Sequence, residues 1–422
     1  MPEAETLDRE QIQRRTLWVL SVSVALTTAA AAAAFAAAAV LGEDLTGSEV
    51  LGSLAAAGLT IGTAAGAVPL ARAMDARGRG PGFRVGLLVA GGGGALVMLS
   101  AIVELYPLLL AGALLIGVGN AVALAARFAA ADLAAPGQRG RAIGYVVWAA
   151  TLGAVLGPAA GLGGGGFVAE LVGLPRLAGV YAFVAISLVF AAQVVNRFLH
   201  PDPLLLARKR SGLGADPKGA SIREGLSGIL AAPLAQIGAG ALVVAHVVMI
   251  AIMTVTPLHL HDGEGGLTII GLVISIHILG MYALSPVVGW LSDRVGALPV
   301  IVAGGIILIT AAEIAAASAP QDHAKIFGGL FLLGLGWNFE LVASSSIITT
   351  AVMPERRVAA QGLTDLVMNA FGAAAGIGAG FVIGLQGFDV LGHIGAAIAF
   401  TIVLAGLVGL VMGRSLRTAP ST

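Results

Sequence analysis

Residues 69–81 read Pro69-Leu70-Ala71-Arg72-Ala73-Met74-Asp75-Ala76-Arg77-Gly78-Arg79-Gly80-Pro81, and residues 289–299 read Gly289-Trp290-Leu291-Ser292-Asp293-Arg294-Val295-Gly296-Ala297-Leu298-Pro299. Aligning Asp75 with Asp293 also aligns Gly78 with Gly296 and Pro81 with Pro299; the offset, 293 less 75, is 218 residues. A second echo uses other residues. Gly153, Gly157, Gly161 and Gly165 are spaced by four, as are Gly372, Gly376, Gly380 and Gly384, and this offset, 372 less 153, is 219. Glycines four apart form a side-chain-free stripe along one face of a helix. Two independent features at one offset indicate a parallel internal repeat.

The composition says what solvent this repeat lives in. Hydrophobic residues make up 58% of the 422-residue chain, charged residues 11%, and mean hydropathy is +0.95. Soluble domains carry roughly 25% charged residues, so too few charges are present to cover a water-facing surface, and lipid must take its place. Basic and acidic residues number 23 each, which excludes a strongly basic nucleic-acid binder. There is no cysteine, hence no disulfide, thiolate metal site or cysteine nucleophile. Abundant Ala and Gly, with arginine far above lysine, point to a GC-rich bacterial source.

A helix needs about 20 mainly apolar residues to cross the hydrocarbon core. Twelve such spans are predicted, at roughly 17–41, 49–71, 82–103, 107–130, 142–166, 175–196, 230–257, 267–290, 299–318, 325–351, 358–384 and 392–413. Of the 23 basic residues, all but Arg176 and Lys325 fall on one side of this alternation. Basic loops face the cytoplasm, so both termini are expected there, in a multi-pass protein of the inner (plasma) membrane. The longest polar stretch, 197–228, reads as a cytoplasmic linker between six-helix bundles at 1–196 and 229–422. The fold class predicted is therefore all-α, two pseudo-symmetric bundles of six membrane helices each.

The motifs resemble those of the major facilitator superfamily, over essentially the whole chain. Its loop motif, Gly-x-Leu-x-Asp-Arg-x-Gly-Arg-Arg/Lys between the second and third helices, is kept here at Asp75, Gly78 and Arg79 and departs at Ala71, Ala76 and Gly80. The degenerate copy after the eighth helix keeps Gly289, Leu291, Asp293, Arg294 and Gly296. Gly153-x3-Gly157-Pro158-x2-Gly161 is similar to the fifth-helix motif of the twelve-helix drug:proton antiporters of that superfamily, with Leu162 where a further glycine is usual. Ala113 stands where that branch carries a fourth-helix arginine. The resemblance implies alternating access by rocking of two bundles. It also implies a cytoplasmic gate of Asp75, Arg77, Arg79, Asp132, Asp293 and Arg294. Asp132 is expected to pair with the loop arginines, and Asp75 has Arg77 and Arg79 as basic neighbours.

Charges at membrane depth cost at least ~2.5–3.5 kcal/mol to insert and are functional candidates by default. Glu340 lies near the middle of the tenth span, where a carboxylate is costly unless protonated or partnered. With Asp365 as second candidate, it is the expected proton-coupling group. Asn369 shares a face with Asp365, four residues on, whereas Asn338 and Glu340, two apart, lie on different faces. Arg127, Asn120, Trp148, His246, His277, Asn338 and Asn369 are the expected substrate-cavity residues. His259, His261, Asp262 and Glu264 cluster after Pro257, and a solvated loop is the expected reading rather than a metal site.

No Gly-x4-Gly-Lys-Ser/Thr phosphate loop, nucleophile elbow or zinc helix motif is present, so neither ATP drive nor enzymatic chemistry is expected, and no cofactor. The expected function is a proton-coupled exporter of a small amphipathic compound, working as a monomer in the lipid bilayer with protons as its second partner. An importer or uniporter on the same fold and a lipid flippase are the alternatives.

Overall fold

The computed structural model describes residues 2–213, 219–262 and 267–418. Among the described residues, twelve helices are long and apolar enough to cross a membrane. They are α1 (Arg9–Thr46), α2 (Glu49–Arg77), α3 (Arg79–Val103), α4 (Tyr106–Ala131), α5 (Arg139–Leu171) and α6 (Arg176–Arg210). They continue with α7 (Pro233–Leu260), α8 (Gly271–Val295), α9 (Ala297–Ala316), α10 (His323–Ala351), α11 (Arg357–Gln386) and α12 (Phe388–Met412). No strand occurs among the described residues. Several helices overrun their predicted spans, because hydropathy registers only the part that lies in lipid. Past that part, backbone hydrogen bonding carries the helix on into the interface.

The local sequence sets the breaks. Gly78 ends α2 and opens α3 at φ 98°, and Gly296 does the same between α8 and α9 at φ 93°. Such angles are open to glycine and strained for side chains, which is why both copies of the repeated loop carry glycine at this point. In α5, Pro158 has no amide to donate, and Ala159–Gly165 winds as a π-helix before α-geometry resumes at Gly166–Leu171. Within α6, the membrane helix stops at Phe198, and a short helix, Pro203–Arg210, follows, capped by the Asp202 carboxylate on the Leu204 and Leu205 amides.

The helices gather into two compact units. The first holds Met1–Ala134, Tyr145–Leu226 and Pro354–Asn369; the second holds Ala135–Gly144, Ser227–Met353 and Ala370–Thr422. Within the first, α1 packs on α4 and α6, α2 on α4, and α3 on α4 and α6. Within the second, the same pairs recur six helices later: α7 with α10 and α12, α8 with α10, and α9 with α10 and α12. The sequence repeat is thus a repeat of packing.

The fifth-helix stripe is close packing inside the first unit. Gly153, Gly157 and Gly161 lie against Ala25, Ala29 and Ala33 of α1, themselves four apart. A methyl on Gly157 would run into the Ala29 carbonyl oxygen, and one on Gly161 would sit 2.7 Å from the Ala33 methyl. The neighbour at Gly157 is backbone, which cannot turn aside. Gly157→Leu is expected to destabilise by at least about 1–3 kcal/mol, the usual cost of overpacking, and so to lower the thermal midpoint in detergent. An unshifted midpoint together with blocked transport would instead mark the stripe as a surface along which helices slide during rocking. The stripe of α11 is looser: Gly372 and Gly376 face His246, Ile250 and Thr254 of α7, whereas a methyl on Gly380 or Gly384 would meet no other helix within 4 Å among the described residues.

Candidate functional site: charges buried on the membrane helices

In the first unit, small residues along α4 bring its last turns close to their neighbours, and Arg127 is carried there at 1% exposure. Its guanidinium donates to both carboxylate oxygens of Asp365 and lies 4.2 Å from the centre of the Phe128 ring. Asp365 is itself 4% exposed. This is a two-pronged buried ion pair, the geometry in which an arginine best repays its desolvation. Asn369 turns back on its own helix and donates to the Asp365 carbonyl at 2.8 Å.

One turn along, Arg79 is wholly buried. It donates to Asp132 at 2.9 Å from Nε and to the Gln361 side-chain oxygen at 2.8 Å from Nη2. Gln361 precedes Asp365 by four residues, so one face of α11 presents an acceptor to each arginine. Asp75 is paired with a residue far along the chain. Arg208, on the short helix Pro203–Arg210 that closes α6, donates to the Asp75 carboxylate and, at 2.7 Å, to the Asp75 carbonyl. Arg77 is two residues from Asp75, therefore on another face of α2, and is exposed. Sequence reasoning missed Gln361 and Arg208; the four-residue spacing to Asp365 was the one available signal for Gln361, and nothing local marks Arg208. Asp75→Asn removes the carboxylate from Arg208 while the backbone carbonyl contact persists. It is expected to slow substrate flux several-fold with ligand affinity unchanged, as read by paired flux and binding assays; lost affinity would contradict this.

In the second unit, Asp293 accepts the Gly140 and Arg141 amides at 2.8 and 2.9 Å and so caps the first turn of α5. Arg294 lies over the Trp290 ring, 5.4 Å from its centre. His246 accepts the Trp337 indole N–H on Nδ1 at 3.1 Å, and Trp337 in turn meets Tyr282 edge to face. Neutral His246 therefore carries its proton on Nε2. His277 is 2% exposed, with Nδ1 bonded to the Leu330 carbonyl at 2.9 Å and Nε2 without a hydrogen-bond partner among the described residues. Asn338 donates to the Met281 carbonyl and to Ser285 Oγ on α8.

Glu340 faces the other way. It lies against α9 at Gly304, where a methyl would sit 2.5 Å from Oε1. The side chain is fully buried, and neither carboxylate oxygen has a hydrogen-bond partner among the described residues. Of the remaining expected cavity residues, Asn120 donates to Thr63 Oγ1 at 3.4 Å, and Trp148 is 40% exposed. His259 stacks on Phe388 at 4.0 Å and bonds the Ser318 carbonyl at 3.1 Å. The side chains of His261, Asp262 and Glu264 lie outside the described residues.

Twelve membrane-length helices, a repeated packing scheme and charges buried among them define a multi-pass membrane protein of transporter type. The model of the Major Facilitator Superfamily matches residues 18–377 and 239–421, and the chain belongs to that superfamily. It is a membrane transporter, not an enzyme. It is 32% identical to the uncharacterized MFS-type transporter YddS of Bacillus subtilis (strain 168) over 400 residues, 94% of this chain and 91% of that one. It is 26% identical to the riboflavin transporter RfnT of Brucella anthropi over 400 residues, 94% and 96% of the two chains. The crystal structure of the human organic anion transporter MFSD10 (TETRAN) superposes with a TM-score of 0.73 at 16% identity, covering 93% of this chain and 99% of that one. That likeness concerns the fold.

Proposed function

We propose that this transporter is a proton-coupled exporter that exchanges protons for a small amphipathic compound by alternating access. The observation that carries the reading is Glu340, fully buried with both oxygens unpartnered among the described residues. An unpaired carboxylate in such a place costs several kcal/mol as an anion, so the group holds a proton until another conformation brings it water or a partner. That is the behaviour of a coupling site. Arg127–Asp365 is the second element, an ion pair that protonation of Asp365 would release. The glycine–proline motif of α5 supports export as the direction.

Everted membrane vesicles test this. An interior made acid should drive accumulation of the exported compound, and reversing the gradient should abolish it. Flux indifferent to the sign of the pH gradient would leave facilitated transport as the function. A second reading is a solute importer or uniporter on the same fold, for which the relative named as a riboflavin transporter suggests riboflavin as the first solute to assay; flux in the opposite sense would support import. Transbilayer movement of labelled phospholipid would instead identify a flippase.

The reading further places the protein, as a monomer, in the inner membrane of a bacterium with both termini in the cytoplasm. The chain has no cysteine, so Arg210→Cys provides a unique label. An impermeant maleimide should leave it unmodified in intact cells and modify it in everted vesicles; the reverse pattern would invert the topology.

A further inference from the structure

The repeat predicts an anion at a helix N-terminus where no acidic cap is found among the described residues. In the first unit, the N-terminus of α3 is satisfied by an acidic side chain: the Gly80 amide donates to Asp202 at 2.7 Å. The cavity beside it is about 320 Å³ and is lined by Gly80, Pro81 and Asp202. In the second unit, the N-terminus of α9 occupies the equivalent place, with Gly296 matching Gly78 and Pro299 matching Pro81. Its N-cap, Gly296, makes no side-chain cap, as Gly78 makes none for α3, and among the described residues no side chain accepts from the Leu298 amide that matches Gly80. The position equivalent to Asp202, 218 residues on, is Pro420, and residues 413–422 contain Arg414 and Arg417 but no Asp or Glu.

A cavity of about 720 Å³ lies at this end of the second unit, more than twice the volume of its counterpart. Arg139, Ser292, Leu298, Ile347, Thr350 and Leu410 are among its lining residues. Ser292 is 5% exposed, and its hydroxyl has no hydrogen-bond partner among the described residues. Asp293, also at the wall, is already engaged by the Gly140 and Arg141 amides. The first-turn amides of a helix, which lack intrahelical partners, together with an arginine and a hydroxyl, are donors of the kind that hold a phosphate. The leucines and isoleucine around them fit an apolar tail.

We propose that this cavity binds a phosphate group, that of a membrane lipid or of a soluble anion, which does for α9 what Asp202 does for α3. The full-length protein in detergent is titrated with dioleoyl-phosphatidylglycerol, with dioleoylglycerol as the phosphate-free control and with inorganic phosphate as competitor. Bound lipid is counted by native mass spectrometry, and the thermal midpoint is followed in parallel. One phosphatidylglycerol should be retained in preference to dioleoylglycerol. Retention should fall about tenfold in Arg139→Gln and in Leu298→Asp, the latter placing a carboxylate in the first turn of α9, where acidic residues are well tolerated. Competition by inorganic phosphate, or a phosphate-raised midpoint without lipid retention, would support the site and identify the soluble source. Equal retention of both lipids with no effect of phosphate would overturn the proposal. So would retention unchanged in both variants, since the lipid would then be bound elsewhere.

Discussion

Arg127→Gln is expected to cost about 3–5 kcal/mol, the usual consequence of removing one partner from a buried ion pair, and to abolish transport. Asp365 would then be a buried carboxylate facing an uncharged amide. Asp365→Asn should be comparably harmful, because it leaves the Arg127 guanidinium, at 1% exposure, without its carboxylate. The informative protein is the double variant Arg127→Met/Asp365→Leu. Replacing both charges with apolar groups of similar size removes the desolvation penalty along with the attraction, and such replacements are often neutral or stabilising. The double variant should therefore recover the thermal midpoint in detergent while remaining inactive in vesicles. Recovered stability with recovered transport would reduce the pair to a structural brace. A double variant as unstable as the singles would show that shape, not charge, dominates the contact.

Glu340→Gln is expected to abolish gradient-driven accumulation while preserving fold, ligand binding and downhill exchange. The amide keeps the volume of the protonated acid against Gly304 and cannot release a proton. For one proton exchanged per substrate, one pH unit is worth about 1.36 kcal/mol and sustains about a tenfold substrate gradient. The variant should instead reach equal concentrations on both sides, with no pH dependence of flux. Net charge movement also contributes about 2.3 kcal/mol per unit charge per 100 mV, so loss of coupling should remove voltage sensitivity as well. Glu340→Gln that still accumulates substrate uphill would transfer the coupling role to Asp365, and Asp365→Asn would then be tested in the same assay. A larger residue at Gly304 should mimic the loss by pressing on the carboxylate, since even a methyl would lie 2.5 Å from Oε1.

Composition and spacing settled the class of architecture because lipid as a solvent leaves little freedom. Every span must be apolar for about 20 residues, and its backbone must bond to itself, so twelve helices are legible without coordinates. The repeated loop, Gly78 with Gly296 and Asp75 with Asp293, was legible for a similar reason: a sharp break between helices demands positive φ, which glycine supplies. The four-residue spacing of Gly153, Gly157 and Gly161 likewise marked one face of α5. Which partner each face and charge meets was decided only by tertiary structure. Arg127 finds Asp365 across 238 residues of chain, and Asp75 finds Arg208 across 133; no local pattern encodes such distances. Asn338 and Glu340 were separable from helical periodicity, but only the rotation of α10 in its packing turned Asn338 to α8 and Glu340 to α9. That rotation comes from the fit of side chains along the whole helix, where Gly304, Gly334 and Gly336 admit neighbours that any larger residue would exclude. The sum of those contacts, rather than any residue alone, left Glu340 buried and without a hydrogen-bond partner among the described residues.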